Sequence, residues 1–72
     1  MTASSSDPPA RLLRRREVEE LVGLGRSALY QKMARGMFPK PVHLTHYSVR
    51  WVEAEVTRWI AEQVSRRDGG GL

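Results

Sequence analysis

Val18, Leu21 and Val22 stand at i, i+3 and i+4, with Glu17, Glu19 and Glu20 on the opposite side. That spacing predicts an amphipathic helix starting near Arg15 and stopping at Gly23, with the glutamates close to its positive N-terminal end. Leu12 and Leu13 precede it and are expected to cover the open end of the core. Gly23-Leu24-Gly25 reads as a tight connection whose glycines can take positive φ, with Leu24 pointing inward. A second helix is predicted from Arg26 to Arg35. Leu29 and Met33 lie on its core side, Tyr30 at the border, and Ser27, Ala28, Gln31, Lys32 and Arg35 face away. Gly25 takes the N-cap position, and Gly36 ends the helix as a C′ residue.

Phe38-Pro39-Lys40-Pro41 cannot continue a helix, because each proline lacks an amide donor and biases its predecessor to extended backbone. A period of two follows. Val42 and Leu44 are expected inside and His43 and Thr45 outside. After a turn near Thr45 to Tyr47, Val49 and Trp51 are expected inside and Ser48 and Arg50 outside. This predicts a β-hairpin. The third helix, Val52 to Arg66, carries Val52, Val56, Trp59, Ile60 and Val64 as one buried stripe. Glu53 and Glu55 at its start and Arg66 and Arg67 at its end match the helix dipole. The fold class expected is mainly α: a small winged helix-turn-helix domain of three helices plus a two-stranded β-hairpin wing.

At 72 residues there is room for one domain. Residues 11 to 67 are assigned to it, residues 1 to 10 (with Ser-Ser-Ser and Asp-Pro-Pro) to a disordered leader, and residues 68 to 72 to a disordered tail. The absence of cysteine excludes disulfides and thiolate zinc sites. The start has no basic residues leading into an apolar run, and no segment has the length and apolarity of a membrane span, so a cytoplasmic protein is expected.

Charge changes the picture more than composition does. The chain has 12 Lys and Arg against 8 Asp and Glu, a net charge of +4. Between Arg26 and Arg50 lie five basic residues (Arg26, Lys32, Arg35, Lys40, Arg50), two histidines and no acidic residue. A basic stretch with every carboxylate of the chain outside it predicts a polyanionic partner.

Enzymatic readings find no support. No Ser, His and acid set has plausible proximity, no carboxylates are paired in a cleft-forming region, and no Gly-rich loop could cradle phosphate. No cofactor is expected. His43 and His46 form H-x-x-H, but no third ligand stands near them, so polar wing contacts or solvent exposure are expected rather than metal. Trp51 and Trp59 could stack on unpaired bases, yet their places in the alternation and in the apolar stripe assign them to the core.

Gly23-Leu24, Arg26-Ser27, Leu29-Tyr30, Gly36-x-Phe38-Pro39-Lys40-Pro41-Val42, Ser48-Val49-x-Trp51 and Glu55-Val56-x-x-Trp59-Ile60 form a series. It resembles the AlpA family of prophage regulatory proteins, related in fold to MerR-type DNA-binding domains and to phage excisionases. The resemblance implies sequence-directed binding of double-stranded DNA. It further implies either transcriptional control of mobile-element genes or excisionase action that bends DNA and assists an integrase, with further copies of the protein on the same duplex. A protein-interaction module, such as an antirepressor, is the reading from another class. On the DNA readings, Arg26 or Gln31 reads base edges and Ser27 holds phosphate, while Tyr30 either packs or donates to phosphate. Lys32, Arg35, Lys40 and Arg50 are expected as phosphate clamps, with His43 and His46 making polar contacts from the wing.

Overall fold

The computed structural model describes residues 11 to 70, Gly70 by its backbone alone. The expected leader and the last two residues of the expected tail lie outside the described residues. The element order is β1 (Leu12–Leu13), α1 (Arg15–Val22), α2 (Arg26–Ala34), β2 (Val42–His43), β3 (Val49–Val52) and α3 (Glu53–Gly70). Three helices and a small antiparallel sheet make the winged, mainly helical domain that the periodicities predict.

Both short helices end where glycine permits the left-handed turn. Gly23 has φ 72° and donates its N–H to the Glu19 carbonyl at 2.8 Å, closing α1. At the end of α2, Gly36 has φ 71° and donates to Met33 at 3.0 Å, while Met37 donates to Lys32 at 2.8 Å. Those two bonds together are a Schellman motif, which satisfies the last carbonyls of α2 and turns the chain sharply. At the other end of α1, the Arg14 N–H donates to Glu17 Oε1 at 2.8 Å, so the first turn is capped from within the helix.

The sheet holds one strand more than the predicted hairpin. β3 lies in the middle, with β2 on one side and β1 on the other, both antiparallel to it. Leu12 and Leu13 therefore do more than cover the core. Leu13 stands opposite Trp51 and Leu12 opposite Val52, and the Glu53 N–H donates to the Arg11 carbonyl at 2.8 Å where β3 becomes α3. Arg11 adds ion pairs to Glu53 at 3.1 Å and Glu17 at 3.8 Å, tying β1, α1 and α3 at one corner.

Pairing in the hairpin corrects the expected facing of its first strand. His43 stands opposite Val49 and Val42 opposite Arg50. Directly opposed residues share a face, so Val42 belongs with Arg50 on the outer side and His43 with Val49 on the core side. Val42 and Leu44 are both exposed, and His43 is exposed as well because it stands at the sheet edge. Val49 and Trp51 face the core as expected.

Leu13, Val18, Leu29, Phe38, Trp51 and Val56 form the buried cluster, with Val22, Met33, Val49, Trp59 and Ile60 packed against it. Every element except the edge strand β2 contributes at least one of these residues, and so does the proline-rich connection. Both indoles also make polar contacts. Trp51 Nε1 donates to the Pro39 carbonyl at 3.0 Å and Trp59 Nε1 to the Met37 carbonyl at 2.7 Å. Phe38 sits between those anchor points, its ring edge-on to Trp59 with centroids 4.9 Å apart. Pro39 and Pro41 prevent helix here, and the tryptophans fix which extended path the chain takes.

The third helix differs from expectation at both ends. Val52 closes β3 and the helix runs on to Gly70, so Asp68, Gly69 and Gly70 are helical. The apolar stripe is buried at Val56 and half-buried at Trp59 and Ile60, but Val64 is exposed, because α3 continues past the core it packs on.

Candidate nucleic-acid interface

α2 is short, and the Schellman motif at its C-terminal end fixes where it stops. Arg26, Ser27, Tyr30, Gln31, Ala34 and Arg35 are all exposed, while Leu29 is fully buried and Met33 packs on the core. Successive exposed residues at i, i+1, i+4, i+5, i+8 and i+9 make one continuous strip along the helix. Five candidate residues, Arg26, Ser27, Tyr30, Gln31 and Arg35, therefore share a face. The Arg26 guanidinium lies 6.0 Å from the Tyr30 ring centroid, so the two form a unit at the N-terminal half of that face. Tyr30 belongs to the exposed strip and not to the core.

Lys32 departs from the expected arrangement. It is half-buried and stands on the flank of α2 that meets α3, beside a groove, rather than on the outward strip. Ala28, also expected outside, is half-buried on the same flank. Lys40 is exposed in the connection and lines the same groove as Lys32.

In the hairpin, Arg50 is half-buried on the outer face opposite Val42, and its Nη1 donates to the Val49 carbonyl at 2.8 Å. His46 stands at the tip, its ring edge-on to Tyr47 at 5.0 Å between centroids, and Tyr47 is 93% exposed. The tip is closed by the Leu44 N–H to the Ser48 carbonyl at 2.8 Å and by the Tyr47 N–H to Thr45 Oγ1 at 3.2 Å. Tyr47 was not among the residues singled out from the sequence. Its place at the centre of a predicted turn was the available signal, since a turn residue with a large amphipathic side chain presents it to solvent.

Among the described residues, the ion pairs are Arg11 with Glu17 and Glu53, Arg15 with Glu19, and Arg67 with Asp68. None involves Arg26, Lys32, Arg35, Lys40 or Arg50. The five cations of the acid-free stretch between residues 26 and 50 thus have no carboxylate within 4 Å among the described residues, a condition that Arg14, Arg16, Arg58 and Arg66 share, while Arg11, Arg15 and Arg67 are paired. Among the described residues, no group of three or more His, Asp or Glu side chains is placed to hold a metal, and no helix is long and apolar enough to cross a membrane.

The comparisons with known proteins agree with this architecture. The family described as Prophage CP4-57 regulatory protein (AlpA) matches residues 11–64, from the first residue of the β1 corner to the end of the apolar stripe of α3. The chain is also 42% identical over 60 residues to the protein titled Uncharacterized protein ORF88 of Enterobacteria phage P4, an alignment covering 83% of this chain and 68% of that protein. The chain belongs to the AlpA family of prophage regulatory proteins.

Proposed function

We propose that this regulator acts by binding double-stranded DNA with sequence preference, controlling transcription of mobile-element genes. The observation that carries the reading is the set of five cations, spread over α2, the connection and the hairpin, that lack a carboxylate partner among the described residues. The α2 strip enters the major groove. Gln31 and Arg26 present bidentate donors and acceptors to base edges, while Ser27 and Tyr30 offer hydroxyls to phosphate. Arg35, Lys40 and Arg50 neutralise phosphates on either side, with His43 and His46 adding polar contacts from the wing, and Lys32 contributes charge from the flank. The closed C-terminal end of α2 and the indole-anchored connection support this role, because they hold α2 and the hairpin in a defined relation before any ligand is present.

The decisive experiment is selection of sheared genomic DNA on the purified protein across a salt series, with sequencing of the retained fragments. Enrichment of discrete sites beside mobile-element genes is the expected result. Clusters of direct repeats near an attachment site would assign the protein to excision instead. Salt-sensitive retention with no enriched site would reduce the domain to a nonspecific polyanion binder.

A further inference from the structure

A groove of about 660 Å³ runs between the end of α2, the proline-rich connection and the exposed side of α3. It lies off the outward strip of α2, because α2 contributes only Lys32 to it. Phe38, Pro39, Met37 and the half-buried Trp59 give it an apolar floor, and Met37 is 50% exposed there. Around that floor stand four bases, Lys32, Lys40, Arg58 and Arg66, and two acids, Glu55 and Glu62. None of these six charged side chains pairs with another within 4 Å.

We propose that this groove is a docking site for an extended acidic peptide segment of a partner protein, anchored by one aliphatic or aromatic side chain on the Met37, Phe38 and Trp59 floor. Three features select that occupant. The excess of bases over acids favours a polyanionic ligand. An apolar floor of aromatic and thioether groups calls for an apolar anchor, which a sugar-phosphate backbone does not carry. Glu55 and Glu62 would repel phosphate, whose oxygens only accept hydrogen bonds, whereas a peptide supplies backbone N–H donors to those carboxylates while its own acidic side chains meet the four bases. The volume is in the range of sites that hold a few side chains. Docking at this groove leaves the outward strip of α2 uncovered, and of the cations assigned to the duplex it engages only Lys32 and Lys40.

The test is selection from a random linear peptide library on the full chain, followed by titration of an enriched peptide against tryptophan fluorescence, to which Trp59 contributes from the groove floor. The expected result is enrichment of peptides with several Asp or Glu around one large apolar residue. Affinity should fall about tenfold or more in Arg58→Glu and in Arg66→Glu. Both positions are exposed on α3, and circular dichroism establishes that each variant keeps the wild-type fold. Gln31→Ala, on the α2 strip, leaves peptide affinity unchanged. The proposal is overturned if no acidic class is enriched, or if folded Arg58→Glu and Arg66→Glu bind the peptide as wild type does. It is also overturned if Arg58→Ala weakens duplex binding and flattens its salt dependence while peptide affinity stays constant, since the groove would then be a phosphate face. Because the peptide arms contain no DNA, they stand or fall independently of the DNA-binding proposal.

Discussion

The Trp59 indole N–H donates to the Met37 carbonyl at 2.7 Å, joining the middle of α3 to the residue that leaves α2. Met37 also donates its own N–H to Lys32 within the Schellman motif, so one residue closes α2 with its amide and receives α3 with its carbonyl. Removing the donor while keeping a ring should separate polar anchoring from packing. Trp59→Phe is expected to lower stability by about 1 kcal/mol, since the freed carbonyl lies beside an exposed residue and can rehydrate. Trp59→Ala removes the packing too and should cost about 3 to 5 kcal/mol, a large share of the stability of a domain this small. Chemical denaturation of both variants checks the difference. A Trp59→Ala protein that stayed fully stable but lost its ligand would show the ring to be a contact residue instead of a core residue.

Gly36 and Gly25 differ in what they require of the backbone. Gly36 has φ 71°, and Gly36→Ala is expected to cost about 1 to 2 kcal/mol from left-handed strain, although nothing lies within 4 Å of the added Cβ. Gly25 has φ −80° at the N-cap of α2 and makes no side-chain cap. Gly25→Ser should therefore stabilise by a few tenths of a kcal/mol, or about that, by offering a hydroxyl to the first amides of α2. Thermal unfolding of the two variants should move in opposite directions.

If each of the five cations neutralises one phosphate, the slope of log affinity against log salt should be about −4.5. Lys40→Ala should reduce its magnitude by about 0.9 and weaken all duplexes alike. Fluorescence anisotropy over a salt series reads both values. A wild-type slope near zero would sink the phosphate-clamp picture.

Gln31→Ala and Arg35→Ala alter exposed positions on α2 and should change stability by less than about 0.5 kcal/mol. Their expected effects on binding differ. Gln31→Ala should cost about 1 to 3 kcal/mol on the preferred site and little on unrelated DNA, whereas Arg35→Ala should weaken both. Competition between specific and scrambled duplexes separates the cases.

The helices were legible because each carries its own signals within a few residues. Val18 and Val22 mark a face that packs on the core, and Gly23 and Gly36 mark the ends, as the structure bears out; Leu21, expected on the same face, is half exposed, because it lies at the edge of a core too small to cover it. The strands were legible only in part. β1 is two residues long, too short for alternation to show, and its partner Trp51-Val52 lies far along the chain. For the same reason the facing of Val42 could not be settled by period, and the register with Arg50 decided it. Val64 continued a helical stripe that the core was not long enough to use. For the candidate interface, the outward facing of Ser27, Gln31 and Arg35 followed from helical spacing, whereas Tyr30, expected at the border, and Arg26, nearer the buried side on an ideal wheel, are exposed beside them in the structure. The position of Lys32 depended on where α3 crosses, which no local pattern encodes.

β3 ends at Val52 and α3 begins at Glu53, so no loop intervenes between the wing and the longest helix. With both sides of β3 paired and the Glu53 amide held by Arg11, that junction has no free joint at which to bend. The hairpin therefore continues without a break into a helix of 18 residues, about 27 Å long at the usual rise. Because Val56, Trp59 and Ile60 also pack on the core and the Trp59 indole is held by the Met37 carbonyl, wing, α3 and the end of α2 make one frame, so that the spacing between the hairpin tip and the groove is set by the fold itself.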